Sequence, residues 1–136
     1  MPLSETSRTL TLALPYVPSG KLAENARRRL NWGAYAALLA GEREVAYGLI
    51  LEALGGKRPH FERCTLSIQF TFKRKGQGPD YENLVARQKP LVDVLVQVGV
   101  LAGDSWDVVR ERQTPCPLTG GIDATIVVVR RVLGIT

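Results

Sequence analysis

Three acidic side chains in one stretch of the chain have the types and spacing of a metal site. Asp80 and Glu82 are two residues apart, and Asp104 follows an apolar segment at residues 90–98 and a glycine, Gly99. In an extended segment, residues i and i+2 point to the same face, so the carboxylates of Asp80 and Glu82 would lie side by side. Such like charges repel each other unless a cation lies between them. Because Mg²⁺ prefers carboxylate oxygens and waters, the pattern predicts a Mg²⁺ site, in which Mn²⁺ could substitute.

The residues between these acids predict a short helix that would let Asp104 return to the other two. Pro90 fits the first turn of a helix far better than its middle. We therefore expect a turn at residues 83–87, followed by a helix that starts at residue 89 or 90 and ends at Val98. Nine helical residues advance the chain by roughly 13 Å, and residues 99–104 can span up to about 20 Å. The chain is thus long enough for the acids to converge.

Three further charged residues in this stretch have predicted roles. Lys89 would lie at the helix start, where its ammonium group could offset negative charge that develops on a phosphate or protonate a leaving group. Asp93, on the helix, is expected to form structural hydrogen bonds rather than bind a metal ion. Asp107 is a weaker candidate for a fourth acidic ligand.

The order of these motifs resembles the RusA family of Holliday junction resolvases. That family carries Asp-x-Asp-Asn-Leu, a lysine, Asp-x-Leu, and a glycine followed by Asp-Asp. The matching segments here are Asp-Tyr-Glu-Asn-Leu at 80–84, Lys89, Leu-Val-Asp-Val-Leu at 91–95, Gly-Val-Leu-Ala-Gly-Asp-Ser at 99–105, and an amino-terminal Leu-Pro-Tyr-Val-Pro-Ser at 14–19. The chain departs from the family in having Glu82 for aspartate, Gly103 for the first acid of the pair, and three additional residues before Lys89.

The resemblance implies a metal-dependent endonuclease that cuts Holliday junctions or other branched DNA in recombination and repair, of phage or prophage type. Asp80, Glu82 and Asp104 match the metal-binding acids of the family, and Lys89 matches its functional lysine. The resemblance also implies a homodimer, since two identical sites are what a two-strand cut in a four-way junction requires.

Two basic clusters would hold the DNA backbone without reading bases. They are Arg27, Arg28 and Arg29 in an amino-terminal loop or helix entry, and Lys73, Arg74 and Lys75 after the clearest strand. The net charge of +5 and the pI near 9.6 suggest a polyanionic partner. Either cluster could also be an ordinary solvated surface.

The bulk properties indicate a single domain at residues 1–136, with residues 1–7 expected to be mobile. No apolar run approaches the ~20 residues that cross a bilayer, and the start of the chain lacks the pattern of a signal peptide. Cys64 and Cys116 have neither metal-ligand nor disulfide spacing, and His60 is expected to be a surface residue. We expect a reduced, cytoplasmic protein without a membrane segment or a small-molecule cofactor.

Hydrophobic periodicity predicts an α+β (mixed α/β) fold in which one mixed sheet is covered by two helices. The expected elements are strands at 8–14, 61–75, 106–113 and 122–131 and a long helix at 31–54, besides the helix described above. An apolar stripe on the long helix is expected to face the core or a dimer partner: Trp32, Tyr35, Leu38, Leu39, Val45, Leu49 and Leu54.

Two alternatives to the nuclease stay open. One is a dimeric DNA-binding protein on the same fold whose site has decayed through the changes at Glu82 and Gly103. The other is an assembly protein whose acids only solvate a helix start. Metal-dependent cutting separates the nuclease from the first alternative, and a complete lack of DNA binding would favour the second.

Overall fold

A computed structural model of the chain describes residues 8–23, 32–73 and 80–133. Within these ranges, strands and helices follow one another in the predicted order. They are β1 (Thr9–Leu14), α1 (Trp32–Leu54), β2 (Cys64–Phe72), α2 (Tyr81–Gln97), β3 (Val109–Gln113), β4 (Leu118–Thr119) and β5 (Ala124–Arg131). The predicted α+β class with one mixed sheet is confirmed. The sequence did not predict β4, because two residues are too short to show a period.

The sheet has the strand order β1-β5-β2-β3, and β4 pairs with the same strand, β2, as β3 does. The β1–β5 and β5–β2 pairs are antiparallel, whereas β3 and β4 both run parallel to β2. Parallel neighbours need a crossover connection, and α2 supplies it between β2 and β3. This βαβ unit therefore determines where every residue of the predicted site can lie.

The core lies between one face of the sheet and the two helices. Alternate residues of β2 are fully buried, from Cys64 to Phe70, and pack with the apolar side chains of α2 such as Leu91 and Leu95. The predicted core position of Cys64 is confirmed, and burial raises the pKa of its thiol to about 11. No helix in the described ranges is long and apolar enough to span a membrane.

Helix α2 is longer than predicted, because the residues that were expected to form a turn are part of the helix. It runs without interruption from Tyr81 to Gln97, with Pro90 inside it, so the predicted turn at 83–87 is wrong. A proline inside a helix lacks its own N–H, and its ring disfavours the preceding turn. Here the ring is buried beside Leu91 and Val92, and the apolar contact offsets part of that cost. Leu84 adds a further buried position to the same helix face.

Helix α1 buries only part of the apolar stripe that was expected to face the core or a dimer partner. Its buried residues are Leu39, Ala46, Ile50 and Leu54. Leu39 and Leu54 are therefore confirmed as core, but Trp32 is 78% exposed and Val45 is 49% exposed. Apolar residues surround this helix on all sides, so periodicity alone does not identify the buried face.

Candidate active site at the start of helix α2

Asp80 is the N-cap residue of α2. Its backbone is extended (φ −72°, ψ 172°), and its Oδ1 accepts a 2.8 Å hydrogen bond from the backbone N–H of Asn83. Aspartate suits this position because its carboxylate satisfies an N–H that has no partner within the helix. Glu82 follows in the first helical turn, where its charge interacts favourably with the helix dipole. The predicted extended face carrying both acids is therefore wrong, although both residues are exposed at the same helix start.

Asn83 and Arg87 connect this helix start to the amino-terminal Leu-Pro-Tyr-Val-Pro-Ser segment. Arg87 Nε donates to Asn83 Oδ1 at 2.7 Å, and Arg87 Nη1 donates to the carbonyl of Pro18 at 3.3 Å. The guanidinium lies 5.0 Å from the centre of the Phe72 ring. A Cβ on Gly20 would lie 2.5 Å from Arg87 Nη2, so the glycine permits this close approach. Two segments that carry the family resemblance, far apart in sequence, are thus in contact.

Lys89 lies on the same side of α2 as Glu82. Seven residues turn an α-helix by about 700°, so the two side chains point within about 20° of each other and are about 10.5 Å apart along the axis. Lys89 Nζ is 3.6 Å from Asp93 Oδ2, and Asp93 also pairs with Arg43 of α1 at 2.7 Å. Asp93 therefore has the structural role predicted for it. It also holds the half-exposed ammonium group of Lys89 in place.

Asp104 is attached to the opposite end of α2 from Asp80. The backbone N–H of Val100 and that of Leu101 both donate to the carbonyl of Leu95, at 2.9 and 3.1 Å. Asp80 and Leu95 are separated by about 22 Å along the helix axis. From Leu101 onward, the chain can return by at most about 10 Å before it reaches Asp104. The sequence argument considered only whether the chain is long enough for Asp104 to return to Asp80. Because residues 100 and 101 are hydrogen-bonded to Leu95, only the residues that follow them can extend back toward Asp80.

No group of three or more His, Cys, Asp or Glu side chains that could hold a metal ion occurs in residues 8–23, 32–73 and 80–133. Within the described chain, Asp104 is thus not grouped with Asp80 and Glu82. The pair at the helix start still fits Mg²⁺ chemically, because Mg²⁺ is often held by one or two carboxylates together with waters and substrate phosphates.

Arg112 on β3 is a candidate site residue that the sequence analysis missed. It is in register with Leu66, a residue of the core-facing side of β2, so its side chain extends toward α2. There its Nε donates to Gln88 Oε1 at 3.1 Å, and Gln88 Nε2 donates to Thr114 Oγ1 at 2.9 Å. Gln88 is fully buried. A glutamine between apolar helix positions was the available signal, since a buried amide needs polar partners on a neighbouring element.

The guanidinium of Arg112 interacts electrostatically with the acidic residues Asp104 and Asp93. Burial lowers its pKa, while the charge of Asp104, then that of Tyr81, then that of Asp93 act in the opposite direction. Tyr81 stands between Asp80 and Glu82 in sequence, and Asp104 belongs to the loop after α2. Of the three predicted acidic ligands, Asp104 is therefore the one whose charge acts on Arg112.

The predicted basic clusters lie largely outside the described residues. This applies to Arg27, Arg28 and Arg29, and to Arg74 and Lys75. Lys73 is described and exposed, and its backbone N–H donates to Asp123 Oδ1 at 2.8 Å. A comparison of the sequence with protein-family models gives no match, and neither does a comparison with curated proteins.

Proposed function

We propose that the chain is a Mg²⁺-dependent endonuclease that binds and cleaves branched DNA, such as a four-way junction, as a homodimer. The observation that carries this proposal is the position of Arg112. Its Nε donates to the buried Gln88, a residue of the helix whose start bears Asp80 and Glu82, and the charge of Asp104 acts on the same guanidinium. Arginine binds phosphate through parallel hydrogen bonds and retains its charge at any working pH.

In the proposed reaction, each residue has a role that follows from its place in the fold. Asp80 and Glu82 would hold Mg²⁺, which would supply Lewis-acid polarisation of the scissile phosphate and a more acidic bound water. Lys89, on the Glu82 side of α2, and Arg112 offset negative charge that builds up on that phosphate. Asp104, whose charge acts on Arg112, is a further ligand candidate when DNA is bound. Lys73, with the predicted basic residues around it, contacts the DNA backbone.

The proposed homodimer is supported by exposed apolar side chains on α1. Trp32, Val45, Tyr47 and Leu51 are each at least 41% exposed. Exposed large apolar side chains on one element favour association. Light scattering on the purified protein measures the oligomeric state directly, and a monomer at micromolar concentration would contradict the dimer.

The test of the proposed activity is incubation with a synthetic four-way junction and with a linear duplex, each with and without Mg²⁺ or Mn²⁺. We expect metal-dependent cutting of the junction. Asp80→Asn should bind the junction without cutting it, whereas Glu52→Gln, which removes an exposed acid on α1, should cut like the wild type.

A second candidate, a DNA-binding protein without nuclease activity, is favoured by the separation of Asp104 from Asp80. The capping hydrogen bond of Asp80 gives that acid a structural purpose without any metal. Junction binding with no cutting in either metal would establish this candidate and exclude the nuclease. Absence of any DNA binding would instead favour the assembly protein.

A further inference from the structure

A groove of about 1020 Å³ lies beside the segment that carries Asp104. Trp106, Asp107 and Val108, which follow Asp104 closely in sequence, form one part of its lining. Four arginines also line it: Arg8, Arg63, Arg110 and Arg131. The acidic residues in the lining are Glu62 and Asp107, so the arginines outnumber them two to one. The groove therefore favours an anionic ligand.

The arginines come from separate elements, and several are held in place by neighbouring groups. Arg8 precedes β1, and its guanidinium lies 4.5 Å from the centre of the Phe61 ring, which is 1% exposed. Asp107 accepts a hydrogen bond from the hydroxyl of Ser105. That bond lowers the pKa of Asp107 most, and the charges of Arg110 and Arg63 lower it further, so its carboxylate is ionised at neutral pH.

A β-bulge places Arg110 in this groove. Cys64 pairs with Val109 and Thr65 pairs with Glu111, so Arg110 has no partner in β2. A bulge redirects the side chain of the extra residue and is common beside functional sites. As a result, Arg110 lines the groove while Arg112, two residues later, faces α2. One edge strand thus presents cations to the groove and to the candidate active site.

Trp106 gives this groove an aromatic surface. It is 78% exposed, which is unusual for so large an apolar side chain. Its ring centre is 6.0 Å from the guanidinium carbon of Arg110. An exposed aromatic ring next to arginines is the arrangement by which proteins bind single-stranded nucleic acid, with bases stacked on the ring and phosphates held by the cations.

We propose that this groove binds a single-stranded segment of DNA, with an unpaired base stacked on Trp106 and the phosphates held by Arg63 and Arg110. The inference rests on the proposed function only in taking DNA as the polyanion. Branched DNA can expose unpaired bases at the branch point, and the groove adjoins Asp104, away from the start of α2 that bears Asp80 and Glu82.

The experiment measures binding of a labelled oligo(dT) of 15 nucleotides in EDTA, so that no cutting occurs. Trp106→Ala should weaken binding about 5- to 150-fold, as expected for loss of one stacked base, and Trp106→Phe should restore most of the affinity. Ile122→Ala is the control, because Ile122 is a large apolar side chain, 62% exposed, that lies outside the groove and outside α1. In a Trp32→Phe background, oligo(dT) should quench the fluorescence of Trp106.

The arginines are tested through the salt dependence of the same binding. Each phosphate contact on a single strand contributes about −0.7 to the slope of log K against log salt. The double variant Arg63→Gln, Arg110→Gln should therefore flatten the slope by about 1.4. The double variant Lys57→Gln, Arg58→Gln removes the same charge from residues that line a different depression, and it should leave the slope unchanged.

Three results would overturn the inference. These are equal affinities of the Trp106→Ala and Ile122→Ala variants, an unchanged slope in the arginine double variant, and quenching of Trp106 by poly-glutamate as strong as that by oligo(dT). The last would identify the groove as a site for acidic protein segments. Oligo(dT) binding at the groove without junction cleavage would contradict the proposed nuclease activity and support the proposed binding groove. Junction cleavage with no effect of Trp106→Ala on oligo(dT) binding would support the nuclease activity and contradict the binding groove.

Discussion

At the scale of single residues, Asp80 combines a structural role with a proposed catalytic one. Its carboxylate caps α2 through the N–H of Asn83, and the same carboxylate is the first acid of the proposed metal site. The two roles depend on different properties of the group. Capping needs an oxygen acceptor, which asparagine also provides, whereas holding Mg²⁺ at the helix start needs the negative charge.

Substitutions at Asp80 should therefore separate stability from cleavage. Asp80→Asn should retain the free energy of unfolding, since asparagine is an equally good N-cap residue, and should abolish junction cleavage. Asp80→Ala should abolish cleavage and also lower the free energy of unfolding by about 1 kcal/mol. Urea denaturation and a cleavage assay on the same preparations measure both effects. If Asp80→Asn cuts at the wild-type rate, Asp80 is a cap only.

Glu82 is the residue at which the resemblance to the RusA family is weakest, and Glu82→Asp is informative for that reason. If the site is active as built, the shorter side chain no longer reaches an ion that requires ligand distances of about 2.0–2.1 Å, and the cleavage rate falls. If the site has decayed, the same substitution restores the family pattern, and the rate rises. We expect a fall in single-turnover cleavage at saturating Mg²⁺. A rise would show that the wild-type site is impaired.

His60 should titrate above its ordinary pKa of 6.5. Its Nδ1 lies 2.6 Å from the carbonyl oxygen of Gly99 and its Nε2 lies 3.0 Å from Glu62 Oε1. Both ring nitrogens thus face acceptors, and only the protonated ring donates to both. The hydrogen bond to Gly99 raises the pKa most, Glu62 raises it further, and slight burial and the charge of Arg8 oppose them.

The titration of His60 is directly measurable because it is the single histidine of the chain. We expect an NMR midpoint above 6.5, and Glu62→Gln should lower it toward that value. Because the folded pKa is raised, the stabilisation is fully present below about pH 6.5 and is lost as the pH rises through the folded pKa. A midpoint at or below 6.5 in the wild type would show that one of the two contacts is absent in solution.

At the scale of elements, the pairing of α2 with β3 depends on a buried polar contact. Gln88 bonds Arg112 through its oxygen and Thr114 through its nitrogen. These hydrogen bonds orient the guanidinium of Arg112 relative to α2, and so relative to Lys89 on that helix.

Gln88→Leu should test this contact, since leucine is similar in size and cannot form either hydrogen bond. We expect a loss of about 0.5–1.5 kcal/mol in the free energy of unfolding, because the hydrogen bonds are lost while Arg112 and Thr114 remain accessible to water. Gln97→Leu, at an exposed position of the same helix, should change stability by less than about 0.5 kcal/mol.

A double-mutant cycle with Arg112→Gln separates the Gln88–Arg112 contact from other effects of each substitution. Coupling energies of about 0.5 kcal/mol or more are expected for residues in direct contact. Additive effects of the two substitutions would show that Gln88 does not position Arg112.

At the scale of the whole molecule, the excess positive charge should dominate DNA affinity. The chain carries a net charge of +5. Binding to duplex arms should become weaker as the salt concentration rises, with a slope near −0.9 per neutralised phosphate. Neutralising Lys73, Arg74 and Lys75 together should flatten the slope for junction DNA. An unchanged slope would place this segment outside the DNA interface.

The sequence alone determined those elements whose local pattern of residues is compatible with only one type of secondary structure. Strict alternation of apolar and polar residues made β2 and β1 predictable, because a strand buries alternate side chains. The long run of helix formers made α1 predictable, and the order of these elements fixed the mixed α+β class. The acid-rich start of α2 was also visible, since its residue types suit both a helix cap and a cation.

Only the tertiary structure decided how these elements are arranged, because their arrangement depends on contacts between segments that are distant in sequence. Proline at position 90 was expected to start a helix, but capping by Asp80 and burial against the sheet extend the helix past it. Chain length allowed Asp104 to return to Asp80, but hydrogen bonds from residues 100–101 to Leu95 hold it at the other end of α2. Arg112 reached the candidate site through strand register, a property of two strands together that neither strand carries in its own sequence.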